Sequence, residues 1–127
     1  MTEIKNISMR LVDGNAELPK KSQVGYDLRS IEKVTIPAGS IKAIDTGVAV
    51  QIPDGFYGRI ASRFKMAMNS GVFVPQGVID NKCKDAIKVL LFNSSSKDFS
   101  VNEGDRVAQL IIERAIQPEP EEVSYLY

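Results

Sequence analysis

The chain has 127 residues, 43% of them hydrophobic, and its 16 basic and 16 acidic residues cancel. That length suits a single domain with a sizeable core, and the charge balance leaves no global field to hold a nucleic-acid backbone or an anionic membrane surface. Histidine is absent, which removes the commonest neutral-pH base and the commonest zinc ligand, so catalysis has to rest on carboxylates or a hydroxyl.

The start, Met1 to Lys5, lacks a basic segment followed by an apolar run, and no window reaches the roughly 18 apolar residues of a membrane helix. The expectation is a soluble intracellular protein, cytoplasmic or nuclear and not secreted. Ile4, Ile7, Met9 and Leu11 then open a series of apolar residues at β-like intervals, followed by Ile41 to Ile52 and Ala86 to Phe92. Short runs rich in Val and Ile favour strands. Turn signals separate them at Asp13-Gly14-Asn15, Pro37-Ala38-Gly39, Pro53-Asp54-Gly55, Asn93 to Ser96 and Asn102 to Asp105. Phe64 to Ser70 breaks the pattern with good helix formers and is followed by Gly71 in a C-cap position, which predicts one short helix over 64–70. The near-continuous apolarity of Ala86 to Phe92 and Val107 to Ile112 implies strands covered on both faces, as in a two-sheet jelly roll or a subunit interface. Residues 1–116 form the domain, and 117–127 are an acidic, proline-spaced tail, extended rather than packed, that ends in the apolar tip Val123 to Tyr127.

Four segments carry a resemblance: Gly25-Tyr26-Asp27-Leu28, Gly58-Arg59-Ile60-Ala61-Ser62-Arg63, Gly77-Val78-Ile79-Asp80, and Gly104-Asp105-Arg106-Val107-Ala108-Gln109-Leu110-Ile111. At this spacing, from about Gly25 to Ile112, the chain resembles the trimeric dUTP diphosphatase (dUTPase) family. The resemblance implies an all-β, dUTPase-like jelly roll with one short helix, assembled as a homotrimer that handles dUTP or a related nucleotide.

Asp80 sits where a buried apolar strand emerges and is suited to orient a water as a general base; its own segment taken alone favours a turn-forming Asp bonded to its own backbone. The resemblance implies the aspartate that activates the water attacking the α-phosphate. The family pattern there is roughly Asp-x-Asp-Tyr-Arg-Gly, and here Lys82, Cys83, Lys84 and Asp85 replace the specified residues. The family tyrosine lies under the deoxyribose, so Cys83 weakens sugar discrimination, and Asp85 in place of glycine implies a different turn. As a nucleophile Cys83 has no histidine to activate it; without a disulfide partner it fits a reducing compartment.

Arg63 stands at the start of the predicted helix, where amides and a guanidinium receive phosphate oxygens. The family reads Pro-Arg-Ser-Gly-Leu-Ala, and its serine position is Phe64 here. Lys65 restores a positive charge but not a fixed hydroxyl, and Phe64 is expected to pack into a pocket no longer used. Asp27 corresponds to the aspartate that positions magnesium through water, magnesium being needed only when nucleotide is bound; its alternative role is to cap a turn after a strand. Gln109 corresponds to a phosphate contact, or is a polar residue at a trimer seam, where Asp105 and Arg106 form ion pairs between subunits.

The family's glycine-rich carboxyl-terminal arm has no counterpart after Glu122. Changed site residues and a missing lid lead to the expectation of a dUTPase-derived protein with little or no catalysis, acting through protein partners like certain adenoviral early proteins that resemble dUTPases. The tip Tyr125-Leu126-Tyr127 is a candidate ligand for a host protein groove or a strap onto a neighbouring subunit. The alternative is a working, atypical magnesium-dependent dUTPase.

Overall fold

The computed structural model describes residues 4–127; Met1 to Glu3, part of the amino-terminal reading, lie outside them. Each predicted apolar run becomes antiparallel sheet. Strand β1 (Ser8–Leu11) pairs with β5 (Val48–Gln51), and β3 (Val34–Ile36) pairs with β10 (Phe99–Val101). A four-stranded sheet runs β2 (Tyr26–Arg29), β11 (Arg106–Arg114), β6 (Phe56–Ala61), β8 (Val78–Ile79), and a three-stranded sheet runs β4 (Ile41–Asp45), β9 (Lys88–Asn93), β7 (Val72–Phe73). None of these paired strands are neighbours in sequence, the crossing order of a jelly roll, so the expected all-β jelly roll with one short helix is the architecture observed.

The long run Ile41 to Ile52 is two strands. Gly47, at φ +68°, lets the chain turn, and the buried Thr46 hydroxyl fixes that turn by donating to Ile87 O at 2.8 Å and accepting from Val48 N at 3.3 Å. Leu28, Ile44, Val89, Leu91, Val107 and Leu110 are fully buried and join the two larger sheets in one core. The expectation of strands covered on both faces needs correcting for the single chain. In β9, Val89, Leu91 and Asn93 point into the core, whereas Leu90 and Phe92 are half-buried on the other face. Asn93 is the polar member of that core, and its amide donates to Ile36 O and Lys97 O at 3.0 and 2.8 Å.

Helix α1 spans Phe64–Ser70, as the composition predicts. Gly71 ends it at φ 67°, in the left-handed conformation that a side chain would strain, with its N–H on Ala67 O and Met66 O. Residues 117–127 have no regular structure and are exposed. No helix among the described residues is long and apolar enough to cross a membrane.

Candidate active site

The outer face of the β2–β11 ladder carries the polar residues of the first and last matched segments. Asp27 and Gln109 are direct cross-strand partners, with Leu28 and Leu110 on the opposite, buried face. Asp27 therefore sits inside a strand and does not cap a turn after one. Its side chain keeps only 18% of its exposure, and Oδ2 lies 3.9 Å from Nη1 of Arg106. That pair is internal to the chain, and Asp105 is likewise used locally, accepting from Asn102 N at 2.8 Å. Within one chain, then, Arg106 and Asp105 each already have a partner.

The end of β6 and the start of α1 bring Arg63, Phe64 and Lys65 to the same face. Together with Asp27, Arg106 and Gln109 they line a cleft of about 390 Å³. The backbone at Arg63 is extended (φ −82°, ψ 125°), and no side chain caps the helix start. Phe64 does not pack into a disused pocket: it is 76% exposed on the rim of this cleft. No residue of α1 is fully buried; Met66 is the one that packs against the core, and Phe64, two positions earlier, is left on the outer side.

Ser22, which no sequence motif singles out, fixes the orientation of Gln109. Its Oγ donates to Gln109 Oε1 at 3.1 Å while accepting from Gly25 N at 3.1 Å. With Oε1 engaged, the Gln109 NH₂ group is the donor left for a ligand oxygen. The contact spans 87 residues, and no local pattern signals it. Ser62 has a structural role, accepting from Val74 N at 2.8 Å.

The Asp80 loop is elsewhere. Asn81, Lys82, Cys83 and Lys84 line a separate cleft of about 520 Å³ with Met9, Arg10 and Val50. A single chain thus gathers Asp27, Arg63, Phe64, Lys65 and Gln109 but does not join them to Asp80, Lys82, Cys83, Lys84 and Asp85. The strand ahead of Asp80 is not buried either: β8 is two residues at the sheet edge, and Val78 is 63% exposed. Asp80 Oδ1 accepts from Lys82 N at 2.9 Å, the local turn bond that its own segment allowed. Among the described residues Oδ2 accepts no hydrogen bond, so one oxygen is fixed and the other is open to a water. Asn81 Nδ2 anchors the loop by donating to Asp54 Oδ1 at 2.8 Å. Among the described residues only Tyr127 is a non-glycine with positive φ, so Asp85 occupies a turn that makes no left-handed demand on it.

A jelly roll with cations and an oriented amide beside one shielded carboxylate has the chemistry to hold a magnesium-bearing polyphosphate. Among the described residues no three potential metal ligands cluster, so such a cation would rest on the phosphates, with Asp27 as the protein's carboxylate.

The chain belongs to the dUTPase family, whose model matches residues 16–126. It is 42% identical over 117 residues to the deoxyuridine 5'-triphosphate nucleotidohydrolase of Yarrowia lipolytica, covering 90% of this chain and 74% of that protein. It is 46% identical over 102 residues to the enzyme of the same name from avian adenovirus 8, covering 80% and 63%. A solved structure of a mutant dUTPase from phage phi11 of S. aureus, which describes the coordination of a structural Mg(II) ion, superposes with a TM-score of 0.90 at 25% identity, over 95% of this chain and 98% of that one.

These relatives overturn the expectation of a framework that has lost catalysis and works through protein partners. Identity of this degree over most of the chain is with proteins named for the hydrolase, and the adenoviral relative bears the enzyme's name rather than that of an early binding protein. None of these relatives points to capture of a host protein by Tyr125, Leu126 and Tyr127. The position of the last residue, Tyr127, says nothing about a closing arm.

Proposed function

We propose that the chain is an active, magnesium-dependent dUTP diphosphatase, converting dUTP and water to dUMP and pyrophosphate as a homotrimer. The observation that carries this reading is the 42% identity over 90% of the chain with a protein named for that hydrolysis. Arg63 and Lys65 bind phosphate oxygens, the guanidinium as a directed fork and the ammonium as a mobile point charge. Gln109, held by Ser22, donates its NH₂ to the same chain of phosphates. Asp27 is the carboxylate that would hold a magnesium carried by the nucleotide, and the cation would neutralise charge on the phosphates. Asp80 takes the proton of the attacking water through its open Oδ2, a role in which a positioned base typically contributes about 10²–10⁴-fold. Cys83 stands where the family tyrosine meets the sugar, and discriminates less against a 2′-hydroxyl.

The division of these residues between two clefts supports a shared site. A nucleotide that needs both is served when the Asp80 loop of one copy faces the phosphate cleft of another. Leu90 and Phe92, half-buried on the outer face of β9, supply apolar surface for such a contact. Pyrophosphate release from dUTP with magnesium tests the reading, beside an Asp80→Asn control and parallel assays with UTP and dCTP, on protein whose mass in solution is measured by sedimentation. Turnover that requires Asp80 in a trimer supports it. A folded trimer without turnover sinks the enzyme assignment, and an active monomer sinks the shared site.

A further inference from the structure

Arg29 and Arg106 are direct cross-strand partners in the β2–β11 ladder. Like charges in that position destabilise a sheet, and the fold does little to relieve this pair. Arg106 has Asp27 at 3.9 Å, and Arg29 spends Nη1 on the neutral carbonyl of Gly104 at 2.9 Å. Arg63 joins them, and the three guanidiniums line a cleft of about 280 Å³ with Met66, Phe99 and Asp105. This cleft adjoins the phosphate cleft, and Arg63 and Arg106 border both. Across the two clefts four cations (Arg29, Arg63, Lys65, Arg106) face two carboxylates (Asp27, Asp105), a local excess of two positive charges on a chain whose net charge is zero. Asp105 is already engaged by Asn102 N.

From this juxtaposition we infer that the cleft of Arg29, Arg63 and Arg106 is a second anion site, which takes inorganic pyrophosphate beside an occupied nucleotide cleft. Guanidinium forks match the paired oxygens of a phosphate group, and an anion between Arg29 and Arg106 converts a repulsion into two charge-assisted contacts. The inference rests on the dUTPase reading for the identity of the neighbouring ligand: a product held one cleft away leaves the nucleotide cleft without first crossing open solvent. The nucleotide's own chemistry does not need Arg29.

The test is a calorimetric titration of pyrophosphate, with magnesium, into the full chain saturated with a non-hydrolysable dUTP analogue. One pyrophosphate per chain is expected, with an affinity that falls as salt rises. Arg29→Met should weaken it at least tenfold and leave analogue affinity within about twofold, while Arg29→Lys, which keeps the charge without the fork, gives an intermediate loss. Absence of pyrophosphate binding in the analogue-saturated protein overturns the site, as does unchanged binding in Arg29→Met. Should Arg29→Met not fold, the wild-type stoichiometry and the Arg29→Lys affinity decide. Failure of the analogue to bind counts against the dUTPase reading instead; the free protein then decides the anion site, with pyrophosphate binding that Arg29→Met weakens at least tenfold supporting it and absent or unchanged binding overturning it.

Discussion

The hydroxyl of Ser22 donates to Oε1 of Gln109 at 3.1 Å, so a loop residue ahead of β2 sets which end of a β11 amide faces the cleft of Arg63 and Lys65. Ser22→Ala releases that amide to rotate. A neutral hydrogen bond is worth about 0.5–1.5 kcal/mol, so kcat/KM for dUTP is expected to fall roughly two- to tenfold, and Ser22→Thr to recover most of it. Steady-state kinetics on the three proteins, alongside their melting curves, separates positioning from stability: a loss of activity that merely tracks Tm denies Ser22 the role.

This contact also marks the limit of what is legible in the sequence. Local order is readable where neighbours decide it. The composition of Phe64 to Ser70 and the following glycine give α1 and its left-handed cap, and the Val- and Ile-rich runs give strands. Asp27, Arg63 and Gln109 are identifiable as residue types in matched segments, Lys65 as a cation just beyond one, and the fold gathers them. Long-range register is not readable. Ser22 with Gln109 and Tyr57 with Glu113 meet across 87 and 56 residues, and nothing periodic announces either pair. Phe64 departs from expectation because a large apolar residue ordinarily finds cover, whereas the helix that carries it turns Met66, not Phe64, toward the core. The substitutions after Asp80 point toward lost activity when weighed alone, although the overall identity with enzymes argues the other way.

Phe64 offers a direct test of that correction. Its ring is 76% exposed beside Arg63 and Lys65, so replacing it loses no core contact. Phe64→Ser is expected to change stability by no more than about 0.5 kcal/mol, as for an ordinary surface site. It should lower KM for dUTP by clearing the rim and adding a donor. Equal thermal melts with a lower KM would establish the ring as an obstruction; a higher KM would make it a contact of the working enzyme.

Glu113 gives the fold a predictable acid dependence. Both Nε and Nη2 of Arg59 donate to Oε1, at 3.0 and 2.7 Å, and the Tyr57 hydroxyl donates to Oε2. Arg59 first, and Tyr57 second, hold the Glu113 carboxyl below the usual carboxylate range. The bond to Glu113, followed by desolvation, raises the Tyr57 hydroxyl above its ordinary value of about 10. A lowered carboxyl contributes stability that is complete above its unfolded value, about 4.3 for Glu, and is lost as pH falls through the folded value. A raised phenol contributes stability that is complete below about 10 and is lost as pH climbs through its folded value. Glu113→Gln should therefore flatten the fall of Tm below about pH 5 and the fall above about pH 10. Because the triad is open to solvent, added salt should narrow the difference between the two proteins. Parallel pH profiles of Tm for wild type and variant would contradict this account.

Gly25 shows that part of the matched motif serves packing rather than chemistry. An added Cβ at this position would lie 2.3 Å from the carbonyl oxygen of Leu110 and 3.0 Å from its carbon. Both are backbone atoms of β11, opposite Tyr26 in the ladder, so no side-chain rotation relieves the contact. Only a shift of β2 away from β11 does, and that shift also moves Asp27 from Gln109 and loosens the Gly25 N–H from Ser22 Oγ. Gly25→Ala is expected to cost about 1–3 kcal/mol, the usual range for overpacking, and to lower Tm by several degrees. Gly14→Ala is the matched control, since its added Cβ meets nothing within 4 Å and its stability should change by no more than about 0.5 kcal/mol. The kinetics divide the effect further. Because the displaced strand carries Asp27, kcat/KM in Gly25→Ala should fall even at temperatures where the protein is fully folded, whereas a variant that is merely less stable would retain full activity there.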